Sequence, residues 1–513
     1  MNSIQSIVIL GGGSAGWMAA TYLQRILCGS EPAIEITVVE SADIPTVGVG
    51  EATVPSIRSF FELIEVSEID LFVKTNATVK NAIRFDNWLH GQGERYFHPF
   101  EFPAISDGIE VGAHWVASAM NQPRSQQQFA YDTGVIPQLC DSNKVVKLFE
   151  SPPYEAPTSY AYHLDAALLG KFLRDVALSR GVKRIEDTVA QVELDAQGNV
   201  QHLVTQGHGN VGADFFVDCT GFAGVIIEKA LGAEFHAYSD ELLCDRAVAM
   251  PTTHTDADNL ASYTIADAAP AGWRWAIDLS SRRGNGYVYS SAFTDETQAE
   301  DYLRAQAGAS DNSQSALHLR MRVGRRENFW HKNCLALGLA GGFIEPLEST
   351  GLQFIEAGLR LFFDHFPARG ENPTLSARYN TVMREMYDEV KDFIVLHYIL
   401  TQREDTPFWQ ACKHDLKASD DLAAKLELWR TKLPSPMEFP LHGLFCHYNY
   451  MYVLAGMDRL VPDSMPFLKG LDSRRSEFML AEVRNIQAQA RDVSPTQRDY
   501  VTRVCAPFAE SAA

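Results

Sequence analysis

The chain has 513 residues, of which 46% are hydrophobic and 21% charged, and 65 acidic against 44 basic residues give a formal charge of −21. This length and composition predict a globular protein with a sizeable core and exclude a disordered or fibrous chain. The acidic balance disfavours nucleic-acid binding, and no apolar run reaches the roughly 18 residues of a membrane span. The eight cysteines lack C-x-x-C spacing and indicate reduced core residues. Because no leader pattern precedes the first predicted strand, we expect a cytoplasmic protein, and we predict no metal site.

The amino-terminal segment IVILGGGSAGWMAATYLQRIL predicts a strand, a glycine turn and an amphipathic helix. Its glycines match G-x-G-x-x-G, in which small residues let the backbone approach a pyrophosphate and the helix amides bind it. A second predicted strand, IEITVVE, ends in Glu40, near the distance expected for an acid that binds a ribose hydroxyl. We therefore predict a dinucleotide site. Its turn residues are Gly11, Gly13, Ser14, Ala15 and Gly16.

The segment that follows, SADIPTVGVGEATVPSI, is punctuated by glycine and proline and is too long for a simple connection. Further along, ADFFVDCTGFAG predicts another strand that ends in a turn of small residues, as in flavoproteins that enclose an isoalloxazine ring. We find no second phosphate motif for a nicotinamide dinucleotide, so we predict one bound FAD that is reduced from outside. The additional predicted FAD contacts are Val47, Gly48, Gly50 and Glu51.

A second match to the glycine pattern, GHGNVG at 207–212, lies between the strand-like runs VQHLVTQ and ADFFVDCTG. No helical pattern follows it, and a dinucleotide site needs a helix amino terminus behind the turn. We predict a hairpin turn here rather than a ligand site.

The remaining pattern predicts an α/β fold with an FAD-binding, Rossmann-like body of the glutathione-reductase type. From about 150 to 330, the runs VAQVEL, HLVTQ, FFVDC, RAVAM and GYVYSS predict an antiparallel sheet inserted into this body. Beyond about residue 370 the apolar spacing becomes helical. We predict a body over 1–370 and a mainly helical, substrate-side cap over 371–513.

Several segments resemble the flavin-dependent halogenases of the tryptophan halogenase type, in the family's order from residue 10 to about 410. They are GGGSAGWMAA, VGVGEATVPSI, TVKNAIRFDNW, GWRWAIDL, GNGYVYSS, NCLALGLAGGFIEPLESTG and DFIVLHYILTQR. The resemblance implies that reduced FAD, oxygen and chloride or bromide yield hypohalous acid, which reaches a separate chamber and halogenates an electron-rich aromatic. It also implies that an NAD(P)H-dependent flavin reductase supplies FADH2 by diffusion, and it leaves a homodimer open.

The resemblance also implies roles for individual residues. Lys80 in TVKNA matches the lysine that binds the oxidant, and Glu348 matches the acid that faces this lysine. Thr350 and Gly351 match a turn whose amides bind halide beside the flavin, and Glu345 ranks below Glu348 because it can simply cap or form an ion pair. Without the family, Lys80 would be taken for a surface lysine.

GWRWAIDL places Trp273 and Trp275 at alternate positions, which share one face of a strand. The resemblance implies that they separate flavin from substrate; two core tryptophans are the alternative. The family motif continues with proline, whereas this chain has Asp278. We expect the loss of proline to free an amide and loosen the strand end.

An aromatic-binding pocket is predicted from YFHPFEF and GLFCHYNYMYVLAGM, although such aromatics also fill cores. Tryptophan-specific members hold the charged ends of the amino acid with groups that we do not match here. Indole or a simple indole derivative is therefore a candidate substrate as well as tryptophan. The predicted pocket residues are His98, Phe100, Tyr448 and Tyr452.

Two other functions stay open at this point. A flavin monooxygenase would hydroxylate the aromatic directly, and its substrate pocket would have to reach the flavin. A non-catalytic or electron-transfer flavoprotein would need neither the lysine nor the glutamate. The halogenase is the leading hypothesis because it uses both.

Overall fold

The computed structural model describes residues 4–27, 29, 34–44, 50–106, 108–254, 259–308, 315–367, 372–461 and 465–509. Its strands are β1 Ser6–Leu10, β2 Glu35–Glu40, β3 Gly50–Ala52, β4 Thr78–Lys80, β5 Ala82–Asp86, β6 Arg95–Pro99, β7 Ile105–Ser106, β8 Ile109–Glu110, β9 Ala161–Asp165, β10 Lys183–Glu186, β11 Val189–Leu194, β12 Val200–Thr205, β13 Asn210–Gly212, β14 Phe215–Asp218, β15 Phe235–Ala237, β16 Arg246–Thr252, β17 Tyr263–Ala269, β18 Gly272–Asp278, β19 Arg283–Tyr289, β20 Leu317–Arg320, β21 Gly324–Arg326, β22 Trp330–His331, β23 Cys334–Ala336 and β24 Gly342–Phe343.

The α-helices are α1 Ser14–Leu27, α2 Ser56–Leu63, α3 Glu68–Thr75, α4 Val111–Asn121, α5 Phe129–Thr133, α6 Ile136–Asp141, α7 Ala166–Ser179, α8 Glu296–Ala307, α9 Gly351–Asp364, α10 Pro373–Ile399, α11 Pro407–His414, α12 Asp420–Trp429, α13 His447–Gly456, α14 Pro466–Lys469, α15 Ser473–Val493 and α16 Gln497–Ala509. Short 3₁₀ turns lie at Gln126–Gln128, Gly221–Ala223, Gly338–Ala340, Pro346–Glu348 and Pro436–Glu438, and a π-helical turn at Val225–Ala230.

The chain forms two compact units that alternate along the sequence. The first comprises Met1–Ala77, Leu164–Tyr238 and Met321–Tyr387, and the second comprises Thr78–His163, Ser239–Arg320 and Asp388–Ala513. The domain boundary that the sequence suggests near residue 370 stays a prediction.

The first unit is built on a six-stranded sheet with the order β10-β2-β1-β14-β23-β22. All its pairings are parallel except that of the edge strand β22. The inner strands are apolar and buried on both faces, as a parallel sheet covered by helices requires. Helix α1 packs against α7 and α9. This is the predicted Rossmann-like body, and the predicted α/β fold class is confirmed.

The runs expected to form one antiparallel sheet belong to three different sheets. Strands β11, β12 and β13 form a small antiparallel sheet in the first unit, and β13 lies within GHGNVG, so the predicted hairpin is confirmed. The run FFVDC does not belong to an antiparallel sheet: it is β14 of the parallel sheet. That part of the prediction is wrong, because an apolar strand buried on both faces suits the centre of a parallel sheet.

The second unit contains a seven-stranded sheet with the order β20-β16-β19-β18-β17-β5-β6. Its pairings are antiparallel except for the parallel pair β5 and β17. The short strand β4 lies just before β5 and pairs antiparallel with β9, with Lys80 opposite Ala161. The inserted sheet is therefore confirmed in its antiparallel character.

The carboxy-terminal segment is helical, as the apolar spacing predicted. Within the second unit, α13 packs against β6, α15 packs against α4, and α16 contacts β4. The role of these helices as a cap over a substrate stays a prediction. Among the described helices, none is long and apolar enough to cross a membrane.

Candidate active site

The glycines of the turn after β1 differ in how closely other atoms surround them. An added Cβ at Gly11, whose φ is +114°, would lie 2.4 Å from the Cys219 carbonyl oxygen, and one at Gly16 would lie 1.8 Å from the Gly11 oxygen. At Gly13, by contrast, no described atom lies within 4 Å of that position. Gly11 and Gly16 are thus required by packing, whereas Gly13 borders open space. This turn fits a dinucleotide phosphate, which needs bare backbone next to room for its oxygens.

Gly12, which the motif leaves unspecified, also has to be glycine. An added Cβ at Gly12 would lie 1.5 Å from Glu40 Oε2 and 2.5 Å from the Glu40 Cβ, so the side chain of the predicted ribose-binding acid lies directly over the turn. Glu40 accepts a hydrogen bond from Trp17 Nε1 at 3.2 Å and forms an ion pair with Arg184. The carboxylate is therefore held at the end of β2.

The other predicted FAD contacts are placed in part. Ser14 begins α1, and its hydroxyl donates to the Ala166 carbonyl at 3.1 Å, so its side chain fixes the turn. The first amides of α1, including that of Ala15, lack partners within the helix and would serve an anion. Gly50 and Glu51 lie in β3, where desolvation raises the pKa of Glu51 to about 7. Val47 and Gly48 lie outside the described residues.

The segment GFIEPLESTG is a buried loop rather than a solvated one. Glu345 and Glu348 are 0% and 1% exposed; Glu345 precedes a 3₁₀ turn that begins at Pro346, and Glu348 is the last residue of that turn. Ser349 then adopts a left-handed conformation with φ +64°, and Thr350 is the N-cap of α9. Both acids therefore belong to the packed interior that precedes α9, not to a surface loop.

The turn that follows these acids fits a small anion. A left-handed residue followed by a right-handed one turns consecutive amides to one side, and the first amides of a helix have no partner within it. An added Cβ at Gly351 would meet no described atom within 4 Å. Thr350 Oγ1 is buried and has no hydrogen-bond partner among the described residues. The donors and the space therefore suit a halide.

Lys80 is the last residue of β4 and is completely buried. Its Nζ lies 4.9 Å from the centre of the Phe100 ring, a cation–π contact within one unit. The surface position expected of an ordinary lysine is thus excluded. Lys80 lies in the second unit and Glu348 in the first, so their predicted pairing stays a prediction.

His163, which the sequence reading missed, lies beside this lysine. The Thr78 hydroxyl gives its single proton to the Asp278 carbonyl at 2.6 Å, so it accepts from His163 Nδ1 at 3.3 Å. The Nε2 atom then accepts from the Thr264 hydroxyl at 2.8 Å. Burial and the charge of Lys80 both lower the pKa of His163 well below its usual value. The imidazole is therefore neutral.

The two tryptophans of GWRWAIDL lie on one face of β18, as predicted. Their rings are 6.2 Å apart at 53°, and both side chains are buried. Gly286 pairs with Trp275, and a Cβ there would lie 1.9 Å from the indole, so this glycine lets the ring lie flat on β19. Their function as a partition between flavin and substrate stays a prediction.

Asp278 does not loosen the strand end, contrary to expectation. Its carboxylate accepts from the Ala261 amide at 2.9 Å and from Arg283 Nε at 2.7 Å across the β18–β19 pair. Its carbonyl accepts the Thr78 hydroxyl. The bonds that Asp278 makes hold the end of β18 and connect it to β4.

The four predicted pocket residues are only partly brought together. His98 and Tyr452 are neighbours at 6.1 Å, and Phe100 lies under Lys80. Tyr448, one helical turn before Tyr452, packs instead against Phe102 at 6.2 Å. The structure thus places His98 with Tyr452 and leaves Tyr448 in a different contact set.

An ion pair that the sequence did not reveal lies next to Tyr448. His447 Nε2 is 3.0 Å from Glu110 Oε1, and the His447 ring stacks at 4.0 Å on Tyr448. Burial lowers the pKa of His447, but its partners Cys446 and Glu110 raise it to about 9. His447 is therefore a cation at neutral pH. The pairing joins the end of β8 to the start of α13 and had no local signal in the sequence.

Comparison with known proteins gives one consistent result. The family model described as Tryptophan halogenase matches residues 6–473. The tryptophan 6-halogenase SttH of Streptomyces toxytricini is 38% identical over 517 positions, which cover 96% of this chain and 97% of that protein. The crystal structure of SttH matches with a TM-score of 0.91 and 38% identity over 97% of this chain and 99% of that chain.

Two further relatives agree with this match. The tryptophan 7-halogenase RebH of Lentzea aerocolonigenes is 36% identical over 489 positions, covering 90% of this chain and 91% of that protein. The structure of Tar14, a tryptophan C-6 flavin-dependent halogenase (chlorinase) from taromycin biosynthesis, matches with a TM-score of 0.91 and 37% identity over 98% of this chain and 99% of that chain. The predicted cofactor class, a flavin with a halide, is confirmed at the level of the family. This chain belongs to the tryptophan halogenase family and is an enzyme of the flavin-dependent halogenase class.

Proposed function

We propose that this enzyme halogenates an electron-rich aromatic compound, namely indole or an indole derivative such as tryptophan, with chloride or bromide as the halogen source. When bound in reduced form, FAD would supply hypohalous acid from oxygen and halide. The observation that carries the proposal is Lys80, a completely buried lysine over the Phe100 ring in a chain whose family match spans residues 6–473.

In this proposal the glycine turn after β1 holds the FAD phosphates. The backbone of Gly13 borders the open space, the first amides of α1 bind phosphate oxygens, and Glu40 accepts a ribose hydroxyl. FADH2 comes from a separate NAD(P)H-dependent reductase by diffusion. The halide binds at the amides of Thr350 and Gly351, with the Thr350 hydroxyl as an additional donor.

Lys80 binds and orients the oxidant. A lysine ammonium placed beside hypohalous acid donates a hydrogen bond to its oxygen, polarises the oxygen–halogen bond and keeps a small reagent in one place. In its amine form the same group would take the halogen as a haloamine. The neutral His163 adds no second charge at this position.

Glu348 takes up the proton that the aromatic ring loses. As the ring attacks the halogen, the oxygen–halogen bond breaks, and the hydroxide that is left takes a proton from the Lys80 ammonium and leaves as water. Glu348 then releases the ring proton to solvent, and solvent reprotonates Lys80. A carboxylate next to the ring would also stabilise the positive charge of the intermediate. Glu348 is 1% exposed, which supports this assignment because a carboxylate shielded from bulk water interacts more strongly with a nearby positive charge.

The substrate class follows from the relatives and from the aromatic faces of the second unit. SttH and RebH are named for tryptophan, at carbons 6 and 7, with similar identities to this chain, so identity alone does not assign the carbon. The neighbouring rings of His98 and Tyr452 provide faces that suit an indole. The proposal includes a cytoplasmic location, and it leaves open whether the protein is a homodimer.

The test is a halogenation assay with FAD, a flavin reductase, NADH, oxygen, bromide or chloride, and indole or tryptophan, read by mass spectrometry. A halide-dependent product with the isotope doublet supports the proposal. A product that gains one oxygen would instead identify a hydroxylase, and no turnover with either aromatic would contradict the proposed substrate class.

A pair of lysine variants tests the role of Lys80. Lys80→Ala should abolish halogenation and leave FAD binding intact. Lys147→Ala is the matched control, because Lys147 is also buried over an aromatic ring, that of Tyr160, and its Nζ donates to the carbonyls of Pro152 and Glu155. If Lys80→Ala forms organohalide as fast as Lys147→Ala does, Lys80 does not orient the oxidant. Glu348→Gln should slow turnover strongly with little loss of fold.

A further inference from the structure

The strand that carries Lys80 is only three residues long and is held on both edges. On one edge β4 pairs with β9, with Thr78 opposite His163 and Lys80 opposite Ala161. On the other edge no described strand pairs with Val79; a single side chain makes the hydrogen bonds instead. This side chain belongs to Gln497, the first residue of α16.

The Gln497 amide replaces a strand peptide. Its Oε1 accepts the Val79 N–H at 3.2 Å, and its Nε2 donates to the Val79 carbonyl at 2.6 Å and to the Ala261 carbonyl at 3.3 Å. Gln497 is completely buried, and its own main-chain N–H donates to the Asn143 carbonyl at 2.7 Å. Backbone groups that are buried must be paired, and here one amide pairs both groups of one residue.

We propose that Gln497 is a positioning residue for Lys80. The residue before Lys80 is held by Gln497, and the residue after it, Asn81, donates its N–H to the Ser262 carbonyl at 2.7 Å. The Cα of Lys80 is thus held between two fixed peptides, and from there its side chain extends to the Phe100 ring. A misplacement of about 1 Å in a reacting group can cost about 100-fold in rate.

Position 497 needs a side chain of this length that accepts from the Val79 N–H and also donates to the Val79 carbonyl, and glutamine meets both requirements. Glutamate would reach Val79 with an acceptor but with no donor, and it would bury a charge; asparagine is one methylene shorter; methionine has similar size but pairs with neither group. The sequence itself could not indicate this contact, because Gln497 and Val79 are 418 positions apart.

This inference rests on the proposed function, in which Lys80 holds the oxidant. If Lys80 is displaced, flavin oxidation proceeds, but the oxidant escapes before it meets the aromatic. The expected signature is uncoupling: FADH2 is consumed at the normal rate, the halogenated product falls, and hypohalous acid captured by a 1,3-diketone trap rises. A purely structural role would lower all three quantities together, in proportion to the folded fraction.

The experiment compares Gln497→Met with Gln487→Met in the full-length enzyme. Gln487 is a matched control on α15: it is buried, and its Nε2 donates at 2.7 Å to both the Tyr131 and the Gly134 carbonyls. We expect Gln497→Met to lower kcat for product by about 10- to 100-fold with KM for the aromatic changed less than about threefold. Gln487→Met should keep the wild-type ratio of product to FADH2 consumed.

A second readout does not depend on turnover. The crystal structure of Gln497→Met should have the Lys80 Nζ displaced from its 4.9 Å contact with the Phe100 ring, whereas Gln487→Met should retain it. If Gln497→Met is insoluble, Gln497→Asn, which keeps the amide, takes its place. Equal coupling and an unmoved Lys80 in the Gln497 variant would overturn the inference. Absence of halogenation in the wild type would instead refute the proposed function, so the two failures are distinguishable.

Discussion

The space around the glycine turn makes a prediction that separates folding from ligand binding. An added methyl group at Gly16 would lie 1.8 Å from the Gly11 carbonyl oxygen, well short of the 3.4 Å at which ordinary contact begins. The obstacle is main chain, which cannot rotate away, so α1 would have to move. We expect Gly16→Ala to lower the free energy of unfolding by about 1–3 kcal/mol, the usual cost of overpacking. An alanine inside a helix would otherwise stabilise it by about 0.5–1 kcal/mol.

Gly13→Ala should do the opposite. No described atom lies within 4 Å of its added Cβ, so the unfolding free energy of the FAD-free protein should change by less than about 0.5 kcal/mol. The methyl group would instead occupy the space assigned to the FAD phosphates. Loss of one hydrogen bond to a charged group is worth about 1.5–3 kcal/mol, which corresponds to about 13- to 160-fold weaker FAD binding.

Urea unfolding of the FAD-free proteins and titration of FAD fluorescence measure the two quantities on the same variants. If Gly13→Ala binds FAD like the wild type, the phosphates do not lie beside Gly13. If Gly16→Ala is as stable as the wild type, packing does not require a glycine at this position. Either result would mean that the turn is not shaped by the ligand and the packing assigned to it.

Three other predictions follow from single contacts. Thr350→Val should raise the KM for bromide about 3- to 10-fold without loss of stability. The substitution removes a buried hydroxyl that has no hydrogen-bond partner among the described residues and that we assign to the halide. Initial rates measured against bromide concentration give the KM. Asp278→Ala should lower the free energy of unfolding in urea by about 1–3 kcal/mol, since it leaves the buried Ala261 amide without its acceptor. His447 should titrate near pH 9 by NMR and at lower pH in Glu110→Gln. Because the pKa of His447 is raised and that of Glu110 is lowered, the stability from the pair is complete between about pH 4.5 and 6.5 and is lost as the pH rises through 9, so the two proteins should converge in stability at high pH.

The dinucleotide turn was predictable because its signal is local. Strand, glycine turn and helix follow one another directly, and the acid at the end of the second strand lies at the distance expected of a βαβ unit. Gly12 was missed for the opposite reason. Its need for glycine comes from Glu40, which the chain brings over the turn only when β2 pairs beside β1.

Sheet membership was predicted less well because strand pairing is set by distant partners. The runs VAQVEL and FFVDC both predict strands, yet the first lies in a small antiparallel sheet and the second at the centre of the parallel sheet. The difference was present in their patterns: polar residues interrupt VAQVEL, whereas FFV is continuously apolar. A strand buried on both faces has that continuous pattern.

The burial of Lys80 shows most clearly where sequence reasoning ends. The segment TVK has no local property that separates it from an exposed strand, and the resemblance alone singled out the lysine. In the structure, three distant side chains or carbonyls fix this strand: the Asp278 carbonyl, His163 and Gln497. None of these three lies in the motif around the lysine. A relative could therefore keep TVKNA unchanged and still move the amine by changing one of them, so the motif identifies the lysine while its distant partners determine where it sits.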